Sequence, residues 1–213
     1  MATPDASATP GESTTKAKTP RTARGRETMR RLLDAAAKEF GERGFHEASV
    51  SGITRRAGTA LGSFYTYFDS KDAIFAALVS DMSAAVARAA GAGISPGSLG
   101  TQREREALAA FLGFAREHKE LYRIIDEAEF ADPASYRAHY TGTATRIAAR
   151  LDESEAAGLI GPGDNELRAW AIMGMNVFLG LRYGVWAEDQ SIEHVAAGAE
   201  AILREGLGKP ITP

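Results

Sequence analysis

One short stretch, residues 49–71, constrains the fold of this chain more than any other part of its 213 residues. It predicts two short helices joined at Gly58. The first helix begins after Ser49, whose hydroxyl can accept a hydrogen bond from an otherwise unpaired backbone N–H. Its apolar positions follow helical spacing and are Val50, Ile53 and Ala57. Gly58 is expected to end this helix, because glycine enters the left-handed cap conformation without steric cost.

The second helix of this stretch has two distinct faces. Thr59 is expected to cap it, and its apolar face consists of Leu61, Phe64 and Phe68, the two phenylalanines being core residues. The opposite face consists of Gly62, Ser63, Tyr65, Thr66 and Tyr67. These small, hydroxyl-bearing or flat side chains suit close approach to a DNA groove. Two short helices around a glycine are also typical of an ordinary helical hairpin, so the neighbouring sequence has to decide.

Helices are predicted on both sides of this stretch. Residues 28–43 have an amphipathic pattern, followed by Gly44 and Phe45. Ser70 is a good N-cap for the next helix, and Asp72 places a negative charge in its first turn, where the helix dipole favours it. Further helices are expected at residues 70–90, 101–118, 120–129, 132–157, 164–186 and from 191 to about 206–208, with Asp132, Asp164 and Ser191 as caps. No strand alternation is present.

Residues 27–79 resemble the N-terminal domain of the TetR (tetracycline-repressor-like) family of bacterial transcription regulators. The matching segments are residues 33–40, 44–45, 53–58 and 62–72, in the order and spacing of that family. The resemblance implies an all-α fold, with an N-terminal three-helix helix-turn-helix domain and a C-terminal helical bundle, about nine helices in total. We expect a disordered tail at residues 1–25, a DNA-binding head at 26–72, and a ligand-binding and dimerisation body at 73–208.

The resemblance implies that the second helix of the motif enters the major groove. The DNA-contacting positions that it implies are Ser49, Ser51, Leu61, Gly62, Ser63, Tyr65, Thr66, Tyr67 and Lys71. The chain departs from the family at three of them: Leu61 replaces a polar or basic residue, Thr66 an aromatic, and Tyr67 a histidine. Because this helix carries no arginine, bidentate contact with guanine is excluded. Contact of Leu61 with a thymine methyl and readout of DNA shape are expected instead.

In the body, the resemblance implies an effector pocket enclosed by helices. Its expected residues are Phe111, Phe114, Leu121, Tyr122, Ile125, Phe130, Tyr136, Tyr140, Met173 and Asn176. An aromatic stripe is more often plain core, but Asn176 lies in an otherwise apolar helix and needs a partner there. Arg123, Arg137 and Arg146 either pair with an anionic ligand or form surface salt bridges. Residues 121–130 loosely resemble relatives that sense acyl thioesters.

The last two helices of the chain have more apolar surface than one monomer covers easily. The resemblance implies a two-fold dimer through them, with an interface of Trp170, Gly174, Val177, Leu181, Val195, Ala199 and Ile202. A buried monomer core is the alternative interpretation of the same pattern.

Charge is distributed unevenly along the chain. Residues 1–71 contain 12 Lys and Arg against 8 Asp and Glu, whereas the remainder contains 13 against 20, so a positive head precedes a negative body. The basic residues at the end of the predicted tail are Lys16, Lys18, Arg21, Arg24 and Arg26, which either contact phosphates or are simply solvated. No cysteine, signal core or apolar run of the roughly 20 residues that span a bilayer is present, so we expect a soluble cytoplasmic protein without membrane contact.

These features together predict a ligand-responsive transcriptional repressor, released from its double-stranded DNA operator by a small hydrophobic effector. Two alternatives remain open. One is a ligand-free DNA-binding activator or architectural protein, which predicts a body without a cavity. The other is a helical small-molecule carrier with a vestigial DNA head. We expect no enzyme, cofactor or metal, because the four histidines form no metal-binding pair and no nucleophile or phosphate-binding motif is present.

Overall fold

The computed structural model describes Lys18 and residues 20–206, and within them it contains helices and no strand. The α-helices of these described residues are α1 (Ala23–Glu47), α2 (Val50–Ala57), α3 (Leu61–Tyr67), α4 (Lys71–Ala92), α5 (Gly100–Glu117), α6 (Glu120–Ala131), α7 (Pro133–Ala156), α8 (Asn165–Gly180) and α9 (Ile192–Gly206). A π-helical segment, Leu181–Trp186, follows α8 directly. The predicted all-α fold is confirmed.

The first helix begins earlier than its apolar pattern predicts. Thr22 is its N-cap, and the Thr22 hydroxyl accepts a hydrogen bond from the Gly25 amide at 3.0 Å. Residues 23–25 are therefore helical, and the prediction of disorder for them is wrong, because a polar cap extends a helix beyond its apolar stripe. Residues 1–17 and 19 of the predicted tail lie outside the described residues.

Gly44 bends the chain sharply near the end of α1. Its backbone has a φ of 80°, which interrupts the helix there. The bend turns Phe45 inward, where its ring lies 4.8 Å from that of Phe75 and 5.9 Å from that of Phe40. An added Cβ at Gly44 would lie 2.6 Å from a carboxylate oxygen of Glu127, so the close approach of α6 also requires glycine here.

The helix-turn-helix forms with the predicted first cap and turn. The Ser49 hydroxyl accepts from the Gly52 amide at 3.0 Å, and Gly58 adopts the left-handed conformation with a φ of 61°. The predicted Thr59 cap is wrong, because the N-cap of α3 is Ala60. The Thr59 amide instead donates to the Thr54 carbonyl at 3.0 Å, which ties Thr59 to the end of α2.

The fourth helix joins the head to the body. It begins at the predicted Ser70 cap and spans the predicted domain boundary between residues 72 and 73. By length and composition alone, this helix is long and apolar enough to cross a membrane, although charged residues interrupt its apolar sequence. In this fold its apolar residues pack into the protein core, the buried ones being Ile74, Phe75, Leu78, Val79, Met82 and Val86. Protein packing thus accounts for the hydropathy of α4.

The caps predicted for the last three α-helices are confirmed. The Asp132 carboxylate accepts from the Ser135 amide at 3.2 Å, with Pro133 in the first turn. The Asp164 carboxylate accepts from the Leu167 amide at 3.0 Å, and the Ser191 hydroxyl accepts from the His194 amide at 3.1 Å. Residues 207–208, where the last helix was expected to fade, lie outside the described residues.

The helix predicted over residues 164–186 changes type near its end. It is α-helical as far as Gly180 and π-helical from Leu181 to Trp186. The Arg116 guanidinium donates to the Tyr183 carbonyl at 3.1 Å and to the Gln190 carbonyl at 2.6 Å, so α5 supports the segment and the loop that follows it. Wide helical turns leave backbone carbonyls available for such contacts.

Three hydrophobic clusters hold the described chain together. The largest joins α1–α4 to one face of α6, so the head and body share a core. The second lies between α7 and α8 around Leu151 and Ile172. The third lies between α5 and α9, where Leu112 packs with Val195 and Ala199. The shared core determines where the head sits on the body.

Candidate nucleic-acid interface and body cavities

The predicted reading face of α3 points away from the protein. The Leu61 and Tyr65 residues are 51% and 48% exposed, and Thr66 is also exposed. Phe64 and Phe68 are completely buried on the other side, as predicted. These two rings hold the short helix against the head while its hydroxyl-bearing face remains open.

A groove lies between α3 and the beginning of α1. Residues of the predicted reading face line one wall, namely Ser63, Thr66 and Tyr67. The other wall includes two basic residues of α1, Arg24 and Arg31. The sequence analysis placed Arg24 in the predicted tail and did not assign Arg31 to the DNA-binding surface. The basic residues near the start of α1 are the sequence feature that could have predicted this wall. The groove brings guanidinium and hydroxyl groups together, which is the donor set that contacts phosphates.

The N-terminal segment runs beside the end of α3. The Lys18 amide donates to the Tyr67 carbonyl at 3.0 Å, and the Lys18 ammonium pairs with Asp69 at 2.6 Å. Arg21 follows within three residues and is exposed. The segment therefore places positive charge along one side of the head.

The two predicted serines of α2 are both exposed. Ser49 and Ser51 have hydroxyl oxygens 3.2 Å apart. Whichever of the two hydroxyls donates in this contact, the other keeps its proton available, which suits a phosphate oxygen. Their DNA contacts stay a prediction.

Lys71 occupies a place that its predicted phosphate contact did not anticipate. Its ammonium donates to the carbonyls of Phe45 at 2.6 Å, Ala48 at 3.2 Å and His46 at 3.3 Å. It also lies 4.5 Å from the centre of the Phe45 ring. The ammonium therefore faces the carbonyls at the end of α1 and not outward, which does not fit the DNA contact that the resemblance implies for Lys71.

Arg56 joins α2 to α1 instead of extending toward solvent. It donates to the Glu39 carboxylate at 2.6 Å and pairs with Glu42. The Glu39 side chain is almost completely buried, and an added Cβ at Gly52 would lie 2.1 Å from it. A buried carboxylate requires such a partner, so this contact fixes the angle between α1 and α2.

Two neighbouring cavities occupy the body. The first, of about 540 Å³, lies between α4, α5, α7 and α8, and the second, of about 690 Å³, lies between α6, α7 and α8. Tyr140, Met173 and Val177 line both cavities. Of the predicted pocket residues, Phe111 and Asn176 line the first, and Tyr122 and Tyr136 line the second.

Four predicted pocket residues line neither cavity. Leu121 and Ile125 are buried in the core cluster that α6 shares with the head. Phe114 packs against His118, with ring centres 4.3 Å apart, and Phe130 is 83% exposed. The helical repeat explains the first pair, because α6 turns these positions toward α1 while Tyr122 faces the cavity.

Several polar groups of the cavities are shielded from solvent. Burial, aided by the positive charge of Arg146, lowers the pKa of His139 to about 4, so its ring is neutral near pH 7. The Ser83 hydroxyl donates to the Val79 carbonyl at 2.7 Å, and the His139 Nδ1–H therefore donates to the Ser83 oxygen at 2.8 Å. Burial also raises the pKa of Tyr122, whose hydroxyl donates to the Val177 carbonyl at 2.8 Å.

The predicted dimer residues divide into three groups. Trp170 and Ile202 are exposed, together with three apolar residues that were not predicted: Leu167, Phe178 and Trp186. Gly174, Val177 and Leu181 line the second cavity, as do the exposed Trp170 and Phe178. Val195 and Ala199 are buried against α5 within one chain, so their assignment to the dimer face is wrong. The face of α9 that is covered by α5 cannot also meet a second chain.

No group of three His, Asp, Glu or Cys side chains that is arranged to hold a metal ion occurs in the described part of the chain.

Comparison with known proteins gives consistent matches. The sequence family described as bacterial regulatory proteins, tetR family, matches residues 32–78. The uncharacterized HTH-type transcriptional regulator YdgC of Bacillus subtilis is 41% identical over 105 residues, which are 47% of this chain and 54% of YdgC. The chain thus spans about half the length of that curated relative.

Two solved structures share the fold over most of the chain. A TetR-like transcriptional regulator from a Rhodococcus species has a TM-score of 0.69 and 26% identity, covering 90% of this chain and 100% of its own. The regulator FadR of Bacillus subtilis, solved in complex with stearoyl-CoA, has a TM-score of 0.73 and 18% identity, covering 84% and 99%. The second likeness concerns the fold alone.

Proposed function

Because the chain belongs to the tetR family of bacterial regulatory proteins, we propose that it is a cytoplasmic transcriptional repressor that leaves its DNA operator when a small hydrophobic effector enters the body. The observation that carries the proposal is the outward face of α3, held in place by buried Phe64 and Phe68. It leaves Leu61, Gly62 and Thr66 free to meet base edges in a major groove. Ser63 and Tyr65 extend the same surface.

A homodimer supplies the second head for a near-palindromic operator. Exposed apolar side chains on α8 and at the end of α9 support this arrangement, since Phe178 and Ile202 are 71% and 64% exposed in the single chain. Large apolar side chains that stay exposed in the single chain suit a protein interface. Two helices from each chain would form a four-helix contact.

The cavities support a ligand-responsive body over a ligand-free activator or architectural protein. Both are lined largely by apolar residues and fall in the size range of small-molecule sites. The stearoyl-CoA bound by FadR supports an effector with a long apolar part, since that protein has the same fold. An effector that binds the released conformation more tightly shifts the population away from DNA.

Titration of a labelled duplex from the promoter region of the protein's own gene tests the proposal. We expect fluorescence anisotropy to show binding whose affinity falls steeply with salt, because phosphate contacts release counterions. Arg31→Gln is expected to weaken binding and to reduce the salt slope by about one unit. Arg88→Gln, at an exposed arginine of α4, is the matched control and should change neither. Salt-independent binding, or equal effects of the two variants, would contradict the DNA-binding role.

A further inference from the structure

The first body cavity has a polar end and an apolar end. Its apolar lining includes Val86, Phe111 and Met173. Its polar end lies near the α4–α5 loop and includes Ser98, Arg103, Arg146 and Arg150. The lining positions of α7 run from His139 to Arg150, about 16 Å of helix, so the cavity is elongated.

Two buried polar atoms of this cavity have no hydrogen-bond partner among the described residues. They are the Arg103 Nε and the Asn176 Oδ1. The Ser98 hydroxyl at the same end differs from them, because it can donate to the Glu106 carboxylate. An unpaired buried polar atom is unfavourable. Two such atoms in one cavity indicate that an occupant supplies their partners.

The charges at the polar end do not cancel. The Arg150 guanidinium makes a two-point contact with the buried Glu104 carboxylate, at 2.7 Å for each bond. Arg103 pairs with Glu153 through Nη1. Arg146 donates to the Thr143 hydroxyl at 3.0 Å and has no carboxylate partner within the described chain. Among the described residues that line this cavity, Arg146 is therefore the arginine without a carboxylate partner.

We propose that this cavity binds an amphiphile whose anionic group contacts Arg146 and the Arg103 Nε–H, and whose apolar part lies along Phe111 and Met173. The proposal rests on the proposed function and names the class of its effector. Both of these contacts donate hydrogen bonds, and a carboxylate or phosphate accepts them. A neutral hydrophobic ligand would leave Arg146 uncompensated. A hydroxyl or N–H near the far end would pair with the Asn176 oxygen.

Calorimetry with probes of one chain length tests the head-group requirement. The probes are dodecanoate, methyl dodecanoate, dodecanol and dodecanoyl-CoA, each below the concentration at which it forms micelles, with the full chain as the receptor. We expect dodecanoate or dodecanoyl-CoA to bind at least about tenfold more tightly than the two neutral probes. The two anionic probes distinguish a free acid from a coenzyme A thioester. Equal affinity for neutral and anionic probes, or no binding of any probe, would overturn the proposal.

Variants test where the anionic group of the ligand binds. Arg146→Gln removes the unpaired charge and is expected to weaken the anionic probe about tenfold while leaving dodecanol unchanged. Arg146→Lys should recover part of the loss. Arg137→Gln is the matched control, because Arg137 is an exposed arginine of the same helix that lines the second cavity instead. Loss of binding in Arg137→Gln but not in Arg146→Gln would overturn the assignment.

A separate measurement distinguishes this proposal from the proposed function. The bound amphiphile is added to the protein–duplex complex, and release is followed by anisotropy. If it binds as expected but leaves the duplex bound, the inference stands and the repressor mechanism fails. If the duplex binds but neither anionic probe does, the inference fails and DNA binding stands.

Discussion

Gly62 lies in the exposed face of α3 without any packing reason to be glycine. A Cβ added there meets nothing within 4 Å, and its backbone is helical without a positive φ. Glycine in a helix costs about 0.5–1 kcal/mol relative to alanine. Helical Gly91 has the same open surroundings, so it is the position of Gly62 on the outward face of α3 that leads us to propose close approach of DNA there.

Gly62→Ala is therefore expected to separate stability from DNA binding. It should raise the free energy of unfolding by about 0.5 kcal/mol and weaken operator binding, because its methyl occupies space that a base edge needs. Denaturant unfolding and duplex anisotropy measure the two effects. Gly91→Ala, at a helical glycine of α4 that also has open space around it, is the control without a DNA effect. Unchanged operator affinity in Gly62→Ala would argue against contact of this residue with DNA.

His139 gives the body a pH dependence at the residue scale. Its folded-state pKa of about 4 lies below the ordinary value of 6.5. Between these two values, His139 is protonated in the unfolded chain and neutral in the folded chain. The contribution of the neutral ring to the free energy of unfolding is thus fully present above about pH 6.5 and is lost as the pH falls toward about 4. The expected loss from this group is about 2 kcal/mol between about pH 7 and about pH 4.5.

Replacing His139 checks this expectation. In His139→Gln, the difference in unfolding free energy between the two pH values should shrink by about 2 kcal/mol. Urea titrations at each pH measure it. His194→Gln, at an exposed histidine of α9, serves as the comparison and should keep the dependence of the parent protein. An identical pH profile in His139→Gln would mean that the ring is not held neutral.

At the scale of elements, the head is attached to the body by a clamp on the α1–α2 corner, residues 41–48. From α6, the Arg123 guanidinium donates to the carbonyls of Gly41 at 3.0 Å and Glu42 at 3.1 Å. The Glu127 carboxylate, also from α6, accepts from the Phe45 amide. Lys71 holds the same corner from α4. Movement of α6 or α4 therefore reaches the head directly.

Arg123→Ala is expected to loosen this corner. Since the side chain is half-exposed, we expect a loss of about 1 kcal/mol in unfolding free energy and faster hydrogen exchange at the Phe45 amide. Glu127→Gln keeps an oxygen acceptor and should have a smaller effect. Arg88→Ala, at an exposed arginine of α4 outside the clamp, is the control. Protection at Phe45 that is equal in all variants would show that the clamp does not restrain the corner.

At the scale of the whole molecule, the exposed apolar surface of α8 supports the proposed homodimer. Phe178 is 71% exposed there, near Trp170 on the preceding turns. Phe178→Glu places a charge in the proposed interface, and we expect it to convert the dimer to a monomer in light scattering after size exclusion. Phe130→Glu is the matched control on α6 and should remain dimeric. If Phe178→Glu remains dimeric, the dimer interface does not include this face of α8.

Local features of the fold were predictable because they depend on neighbouring residues in the chain. Ser49, Gly58, Asp132 and Asp164 lie at the helix ends that the sequence predicts. Caps and left-handed turns are properties of a few consecutive residues. The inward side of α3 followed equally from the spacing of its phenylalanines.

The sequence alone therefore determined the helical class, most helix ends and the outward side of α3. Only the tertiary structure decided what each apolar face covers. It placed Val195 against α5 and not against a second chain, turned Ile125 toward α1 and Tyr122 toward a cavity, and directed Lys71 into the α1–α2 corner. The physical reason is that helical periodicity tells which side chains share a face, whereas the partner of that face depends on contacts between residues far apart in the chain.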